Sequence, residues 1–533
     1  MTAIETPART ESVRLVTQAL LRELGMTTIF GNPGSTELRF LKDWPADFRY
    51  VMALHEGPAL AMADAYAQLT GNAAIVQLHS AGGLGNAMGT LFTAYRNNAP
   101  LVILAGQQTR AMLHTEPFLF ASDPTTMPLP YVKWAVEPVR PEDVPGAIAR
   151  AYRIAMERPY GPTFVSVPED DWDRETVPLE ARRVYGDVVA DASAIAALVD
   201  AFARSRAPAL VVGSGVDRDG ASELAVRLAE RTGAAVYAAA LSSRCGFPED
   251  HPLFAGALPR MRSAVVDTLA ERDLVVVLGA SVFNYHVHAE GPYIKPGTAV
   301  FQLTDDPAVA SSAVVGTSII TTLGPALESV LAALPQRAPA PLPPRMFPQI
   351  PASDPITIEY LLQALRTVLP DDAIIAEETP AIHSILHDVG LLRPGRFLSA
   401  ASGSLGYGLP AAIGAAVARP GQPIVALIGD GSSYYGIQAI WTAVEHRLPI
   451  AFVIVNNGGY GAMKAFTQIM RSERSPSFDI GGVDFVALAA GFGAQGRRIE
   501  RASDLAGALE TAIAAREPFL LDVAVDTAIR AIR

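Results

Sequence analysis

The sequence predicts an α/β chain of three domains, each a parallel sheet flanked by helices. Three observations carry that expectation. Short runs of continuous apolar and β-branched residues recur along the chain, as expected of strands buried on both faces. Helix-length stretches separate most of these runs. A proline-rich break then sets the last third apart.

The first block, residues 1–182, contains TTIFG (27–31), YVMAL (50–54), AIVQL (74–78) and LVILAG (101–106). A helical stretch, GPALAMADAYAQLTG (57–71), lies between the second and third of these. The second block, 190–333, repeats the style with APALVVGSG (207–215) and LVVVLGASV (274–282). Eight prolines fall within 335–355, so 334–355 is predicted to be an extended, semi-rigid linker. The third block, 356–533, holds IIAEE (374–378), PIVALIGDG (423–431), PIAFVIVNN (449–457) and FLLDVAV (519–525). At 533 residues the chain exceeds what one hydrophobic core serves.

Composition narrows the function. A net charge of -12 gives no basic footprint for nucleic acid. The single cysteine, Cys245, rules out an internal disulfide and suits a reducing compartment. Residues 397–418 carry no charge over 22 positions, a length that would span a bilayer. Scattered Gly, Ser and Pro argue instead for a buried loop followed by a helix. The N-terminal stretch lacks an apolar signal-peptide core. The expectation is a soluble, cytoplasmic protein.

Two constellations carry chemistry. In the third block, Asp430 ends one strand between glycines, and 24 residues (432–455) later Asn456 and Asn457 end the next. A right-handed crossover puts both ends on one sheet edge, where ligands of open α/β sheets bind. One carboxylate, one amide and a glycine-exposed carbonyl make an incomplete oxygen cage. Mg2+ suits it, since that ion takes remaining ligands from phosphates and water. Gly429, Gly431, Gly458 and Gly459 admit a bulky anion, and Ser432 and Ser433 begin the following helix. The strand end is predicted to hold a metal-bound diphosphate.

In the first block, Ser35, Glu56 and His79 are spaced by 21 and 23 residues, close to one strand-plus-helix period. All three are predicted at carboxyl ends of parallel strands, on one edge of one sheet. Taken singly, Glu56 is a carboxylate favoured at a helix N-terminus and His79 a hydrogen-bonded core histidine. Their coincidence on one edge points to a site.

GDG followed by NN resembles the thiamine diphosphate motif. The stretches FGNPGSTELRFLKDWPADFRYVMALHE, LHSAGGLGNAMG, AGQQTRAM, ASVFNYH and GDG…NNGGYGA extend the resemblance over nearly the whole chain. It is to the benzoylformate decarboxylases of the thiamine diphosphate-dependent 2-oxo acid decarboxylase family. The implied fold has a pyrimidine-binding domain, a nucleotide-binding-like middle domain and a diphosphate-binding domain. The implied reaction is non-oxidative decarboxylation of an aryl 2-oxo acid to an aldehyde and CO2 through the thiamine diphosphate ylid.

The resemblance also implies roles. Asp430, Asn457 and Gly459 ligate Mg2+, and Glu56 hydrogen-bonds the aminopyrimidine. Ser35 meets the substrate carboxylate, while His79 and His286 relay protons. Thr379, Gly403 and Ala462 join the pyrimidine side, with Leu405 as the apolar wedge, and Asn32 is a further cofactor-binding residue. Gly431, Ser432, Tyr460 and Gly461 join the diphosphate side. Phe118, Leu119, Met463 and Phe466 line the substrate pocket. Ser399 and Pro380 stand where the resemblance implies a large aromatic and a hydroxyl residue, so a larger or ring-substituted substrate is expected. A homotetramer with sites at dimer interfaces is implied. The alternatives are a thiamine diphosphate-dependent carboligase or lyase with another acyl donor, and a non-catalytic nucleotide-binding protein of the same fold.

Two weaker signals are read as structural. His383 and His387 stand four apart on a probable helix, without a third metal ligand nearby, and are expected on a solvated face. GSGVDRDG (213–220) misses dinucleotide-loop spacing and is expected to be a turn.

Overall fold

The structure, a computed structural model, describes residues 10–335 and 342–530. Of the expected first domain, residues 1–9 lie outside the described residues, as do 336–341 of the expected linker and 531–533 of the third block. The chain forms two compact units. One runs to Gly186 and takes in Ser404–Pro420 and Gly436–His446; the other comprises Asp187–Gly403, Gly421–Tyr435 and the chain from Arg447 onward.

The first unit is built on a six-stranded parallel sheet. Its order is Arg49–Met52, Thr28–Gly31, Ala74–Leu78, Leu101–Gln107, Thr163–Pro168 and Ala135–Val136. The central strands are buried along their length, which is why they read as unbroken apolar runs. The helix Glu56–Thr70 is capped by His55, whose Nδ1 accepts from the Gly57 N–H at 3.1 Å. It is buried almost all round, so it carries little amphipathic signal. The helix Gly408–Ala418 packs against it without room for a side chain between. A Cβ on Gly414 would lie 2.0 Å from the Met62 carbonyl oxygen. Asp64, fully buried in the same helix, accepts from Tyr407 Oη at 3.1 Å and from Asn97 Nδ2 at 3.2 Å.

The second unit contains two six-stranded parallel sheets. One runs Phe254–Ala257, Ala235–Ala238, Pro208–Val212, Leu274–Leu278, Ala299–Thr304 and Thr317–Ile320. The other runs Phe397–Leu398, Ile374–Glu378, Ile424–Gly429, Ile450–Asn456, Phe519–Ala524 and Gln495–Ile499. The uncharged stretch 397–418 is a short strand, a loop and a buried helix, and no described helix is long and apolar enough to cross a membrane.

Two minor expectations need correction. GSGVDRDG begins as a short helix, Ser214–Arg218, rather than a turn. Its glycines serve packing: a Cβ on Gly213 would lie 2.5 Å from Ala280 Cβ, and one on Gly215 would lie 2.7 Å from Gly279 Cα. His383 and His387 are not on a solvated face. Both are buried, each against a carboxylate. His383 Nδ1 lies 2.9 Å from Glu377 Oε2, and His387 Nδ1 lies 2.5 Å from Glu249 Oε1. The physical reason is charge: a buried carboxylate requires donors, and spacing within one helix could not show acids brought in from elsewhere.

Candidate active site

Ser35, Glu56 and His79 all follow carboxyl ends of adjacent parallel strands in the first unit. Glu56 is the first residue of its helix and is buried. Asn32 Nδ2 donates to its Oε1 at 3.2 Å, and Asn86 Nδ2 donates to its Oε2 at 3.0 Å. Gly83 makes room for it: a Cβ there would meet Glu56 Cγ at 3.2 Å. Ser35 is exposed at the start of the short helix Ser35–Glu37.

His79 is held by a residue that the sequence reading missed. Glu37 Oε2 lies 2.9 Å from His79 Nδ1. The same carboxylate accepts from the Gly34 N–H at 2.8 Å, the Gly106 N–H at 3.0 Å and Thr36 Oγ1 at 2.7 Å. A carboxylate only accepts, so Nδ1 carries the proton and Nε2 is left as the basic nitrogen. Gly34 and Gly106 are required by this packing. A Cβ on the first would lie 2.2 Å from His79 Nδ1, and one on the second 2.2 Å from Glu37 Oε1. Ser80 follows at φ 51°, in the left-handed region, and its Oγ donates to the Leu119 carbonyl at 2.8 Å. This brings Leu119 beside the His79 turn, while neighbouring Phe118 is 87% exposed.

In the second unit, Asp430 directly follows Ile424–Gly429, beside the parallel strand Ile450–Asn456. The Gly459 N–H donates to Asp430 Oδ2 at 2.9 Å and to Asn457 Oδ1 at 3.3 Å, so the two side-chain oxygens converge on one donor. The Gly459 carbonyl accepts from the Gly461 N–H at 2.9 Å and keeps a second lone pair. Asn456 is spent elsewhere: its Nδ2 donates to Asp522 Oδ1 at 2.8 Å. Burial raises the Asp430 pKa, against the lowering effect of the Gly431 and Gly459 N–H groups. A buried carboxylate of this kind is suited to a cation. No group of three or more His, Cys, Asp or Glu side chains arranged to hold a metal ion occurs among the described residues. A metal here would therefore lean on amide and carbonyl oxygens and on a ligand's own oxygens, which matches the habits of Mg2+.

The glycines fit the same picture. A Cβ on Gly431 would meet the Tyr460 ring at 2.7 Å, and one on Gly459 the Phe478 carbonyl oxygen at 2.4 Å. Phe478–Ile480 braces the loop: Tyr460 N–H donates to Phe478 O at 2.8 Å, and Ile480 N–H to Gly458 O at 2.9 Å. Ser432 is buried beside Asp430. Gly461 and Ala462 open the helix Gly461–Ile469, which also carries Met463 and Phe466.

The three domain models that match are those of thiamine pyrophosphate enzymes. The N-terminal binding domain matches 13–125, the central domain 195–330 and the C-terminal binding domain 383–523. A benzoylformate decarboxylase of Pseudomonas aeruginosa is 40% identical over 526 residues, 97% of this chain and 99% of the relative. The chain belongs to the thiamine pyrophosphate enzyme family, among the benzoylformate decarboxylases. Solved structures agree. The thiamine diphosphate-dependent 4-hydroxybenzoylformate decarboxylase of Rhodococcus jostii RHA1 has a TM-score of 0.94 at 40% identity, covering 98% of this chain and 100% of that one. The benzoylformate decarboxylase of Polynucleobacter necessarius has a TM-score of 0.94 at 38% identity, with the same coverage.

The remaining family positions divide between the two units. Leu405 belongs to the first, while Gly403, with φ 72°, belongs to the second. His286 sits with its ring edge against Phe466, centroids 4.7 Å apart. Burial first, and the nearby Arg260 charge second, lower its pKa from 6.5. Thr379 and Ser399 are buried around a further carboxylate that the sequence reading passed over. Glu377 Oε1 accepts from the Thr379 N–H at 2.6 Å and from Thr379 Oγ1; Oε2 accepts from Ser399 Oγ at 2.8 Å. Burial opposes ionisation of Glu377. The His383 charge and these hydrogen bonds outweigh it and hold the carboxyl at about 2. Glu377 was legible in sequence only as the acidic end of IIAEE.

Proposed function

We propose that this chain is a carboxy-lyase that converts an aryl 2-oxo acid, benzoylformate or a ring-substituted relative, to the aldehyde and CO2. The observation that carries the reading is the Glu37–His79 pair, an imidazole fixed in one tautomer at the end of Ala74–Leu78, one strand removed from the strand that Glu56 follows. Decarboxylation to an aldehyde requires a proton to be given to, and later withdrawn from, one oxygen, and a held imidazole suits both. The two decarboxylase structures and the Pseudomonas relative act, by name, on benzoylformate or its 4-hydroxy form.

Thiamine diphosphate, when bound, supplies a carbon nucleophile and an electron sink. In this reading Asp430, Asn457 and the Gly459 carbonyl hold Mg2+, and Gly431, Ser432, Tyr460 and Gly461 surround the diphosphate. Glu56 holds a proton at the pyrimidine edge, flanked by Asn32; Thr379, Gly403, Leu405 and Ala462 shape that edge. Ser35 binds the substrate carboxylate, and the His79 and His286 ring nitrogens move protons at the reacting oxygen. Phe118 and Leu119 on the first unit, and Ser399, Met463 and Phe466 on the second, are the residues proposed to meet the substrate, and largely apolar surroundings favour loss of the carboxylate's charge as CO2.

The proposal includes a homotetramer with sites at dimer interfaces, a cytoplasmic location, and no nucleic-acid partner. It also includes a division into 1–182, 190–333 and 356–533 joined by 334–355. The test is release of aldehyde and CO2 from a panel of 2-oxo acids, from pyruvate through branched-chain acids to benzoylformate and its ring-substituted forms, with thiamine diphosphate and Mg2+ present. Turnover of the aryl acids is expected. Bound cofactor without release from any of them would withdraw the decarboxylase reading.

A further inference from the structure

Three arginines of the described chain, Arg14, Arg244 and Arg260, are each 8% exposed. Two are answered by protein. Arg14 Nη1 donates to the Lys42 carbonyl at 2.8 Å, and Arg244 Nε donates to Asp217 Oδ2 at 2.6 Å. The Arg260 guanidinium has no hydrogen bond or ion pair among the described residues. Its nitrogens are not among the buried polar atoms sealed away without a partner, so they retain contact with accessible space. A buried cation without a counter-group is costly, and its burial lowers the pKa of Arg260.

The surroundings of this arginine belong to the site already described. The Arg260 backbone carbonyl accepts from the His286 N–H at 2.8 Å and the Val287 N–H at 3.2 Å. Its charge acts on His286, whose ring meets Phe466 edge-on. Its other charged neighbour is Glu377, close enough to act on Arg260 electrostatically but not paired with it. Glu377 is already satisfied by Thr379, His383 and Ser399. The guanidinium is therefore buried without a hydrogen-bond partner on a backbone tied to His286, within electrostatic reach of that imidazole and of a saturated carboxylate, and His286 in turn packs on Phe466.

We infer that Arg260 is a specificity-determining residue that donates to an oxygen carried on the aryl ring of the substrate. The preferred substrates are accordingly hydroxyl- or carboxyl-substituted aryl 2-oxo acids. This rests on the aryl 2-oxo acid reading proposed above. An oxygen acceptor supplies what the protein leaves out, and a ring without one leaves the guanidinium buried and unpaired. Sites built to hydrogen-bond a substrate group discriminate strongly against analogues that lack it. Small Ser399, tied back onto Glu377, takes up little of the space where the resemblance implies an aromatic wall.

The test uses the chain loaded with thiamine diphosphate and Mg2+, and unreactive 2-hydroxy acids as probes. These keep ring and carboxylate but lack the carbonyl carbon that is attacked. Dissociation constants are measured for mandelate, 3- and 4-hydroxymandelate, 4-carboxymandelate and 4-methylmandelate. At least one oxygen-bearing probe is expected to bind on the order of tenfold or more tighter than the 4-methyl form. In Arg260→Met that ratio is expected to collapse toward one, with Arg260→Lys between. Thermal unfolding of both variants reports whether the fold is kept; a misfolded Met variant leaves the wild-type ratio and the Lys variant to decide. No preference in the wild type, or an equal loss for every probe in the variants, overturns the inference. A preference that depends on Arg260, without aldehyde release from any 2-oxo acid, would overturn the decarboxylase reading while leaving the ring-oxygen contact standing.

Discussion

Asn456 and Asp522 are joined by a 2.8 Å hydrogen bond between neighbouring parallel strands, so the first asparagine of the NN pair is a structural strut. Asp522 is buried and also accepts from Arg498 Nη1 at 2.7 Å. Only Asn457 is left to turn its amide oxygen toward Asp430. The two asparagines should separate in experiment. Asn456→Ala should lower stability by about 1–3 kcal/mol, since a buried carboxylate loses a donor. Asn457→Ala should instead abolish Mg2+-dependent binding of thiamine diphosphate with little change in melting temperature. Equal effects on cofactor affinity from both would remove the distinction.

Glu56 has both oxygens engaged by amides, and only an ionisable group at that position can hold and release a proton. Glu56→Gln should slow hydrogen exchange at C2 of bound thiamine diphosphate by roughly a hundredfold or more. NMR of exchange under quench conditions reads this directly. An unchanged exchange rate would take Glu56 out of the chemistry.

Glu37 fixes the His79 tautomer, and its own position is fixed by two backbone N–H groups. Glu37→Gln offers Nδ1 an amide in place of a carboxylate. The expected result is a fall in kcat of about a hundredfold with KM little altered, because orientation and basicity change and the pocket does not. A variant with normal kcat across the pH range would reduce Glu37 to a structural role.

His387 supplies a pH prediction. Burial opposes its charge, yet the Glu249 carboxylate outweighs this and holds its pKa above 6.5. A raised histidine contributes stability that is full below the unfolded value of 6.5 and is lost as pH rises through the folded one. Melting temperature should therefore drift downward above pH 6.5. Glu249→Gln should cost about 3 kcal/mol below pH 6.5 and flatten that drift. A drift that persists unchanged in the variant would assign it to another group.

Much of this architecture was legible because parallel strands buried on both faces leave an unmistakable apolar run. AIVQL and IIAEE coincide with strands, and the edge shared by Ser35, Glu56 and His79 followed from strand-plus-helix spacing. The outer strand Gln495–Ile499 was illegible, since QGRRI carries two arginines on a largely exposed edge. Ala135–Val136 is too short to leave a pattern. Within the site, ligand-like residues at strand ends could be named, but the residues that hold them could not. Glu37 meets His79 across 42 positions, and Glu249 meets His387 across 138. Such pairs exist only after folding, and the misreading of His387 as solvated has the same origin; His383 meets Glu377 only six positions away, but across the turn that follows the strand Ile374–Glu378.

The close approach of Gly414 to the Met62 carbonyl has a bearing on this. Backbone meets backbone there, so the helix Glu56–Thr70 has no lateral slack at its middle. Glu56 stands at the first position of that helix, like the tip of a lever whose pivot is at residue 62. The reach of its carboxylate is thus inherited from the seat of a whole helix more than from its own torsions. Retuning proton handling at Glu56 would begin at a glycine that carries no chemistry of its own.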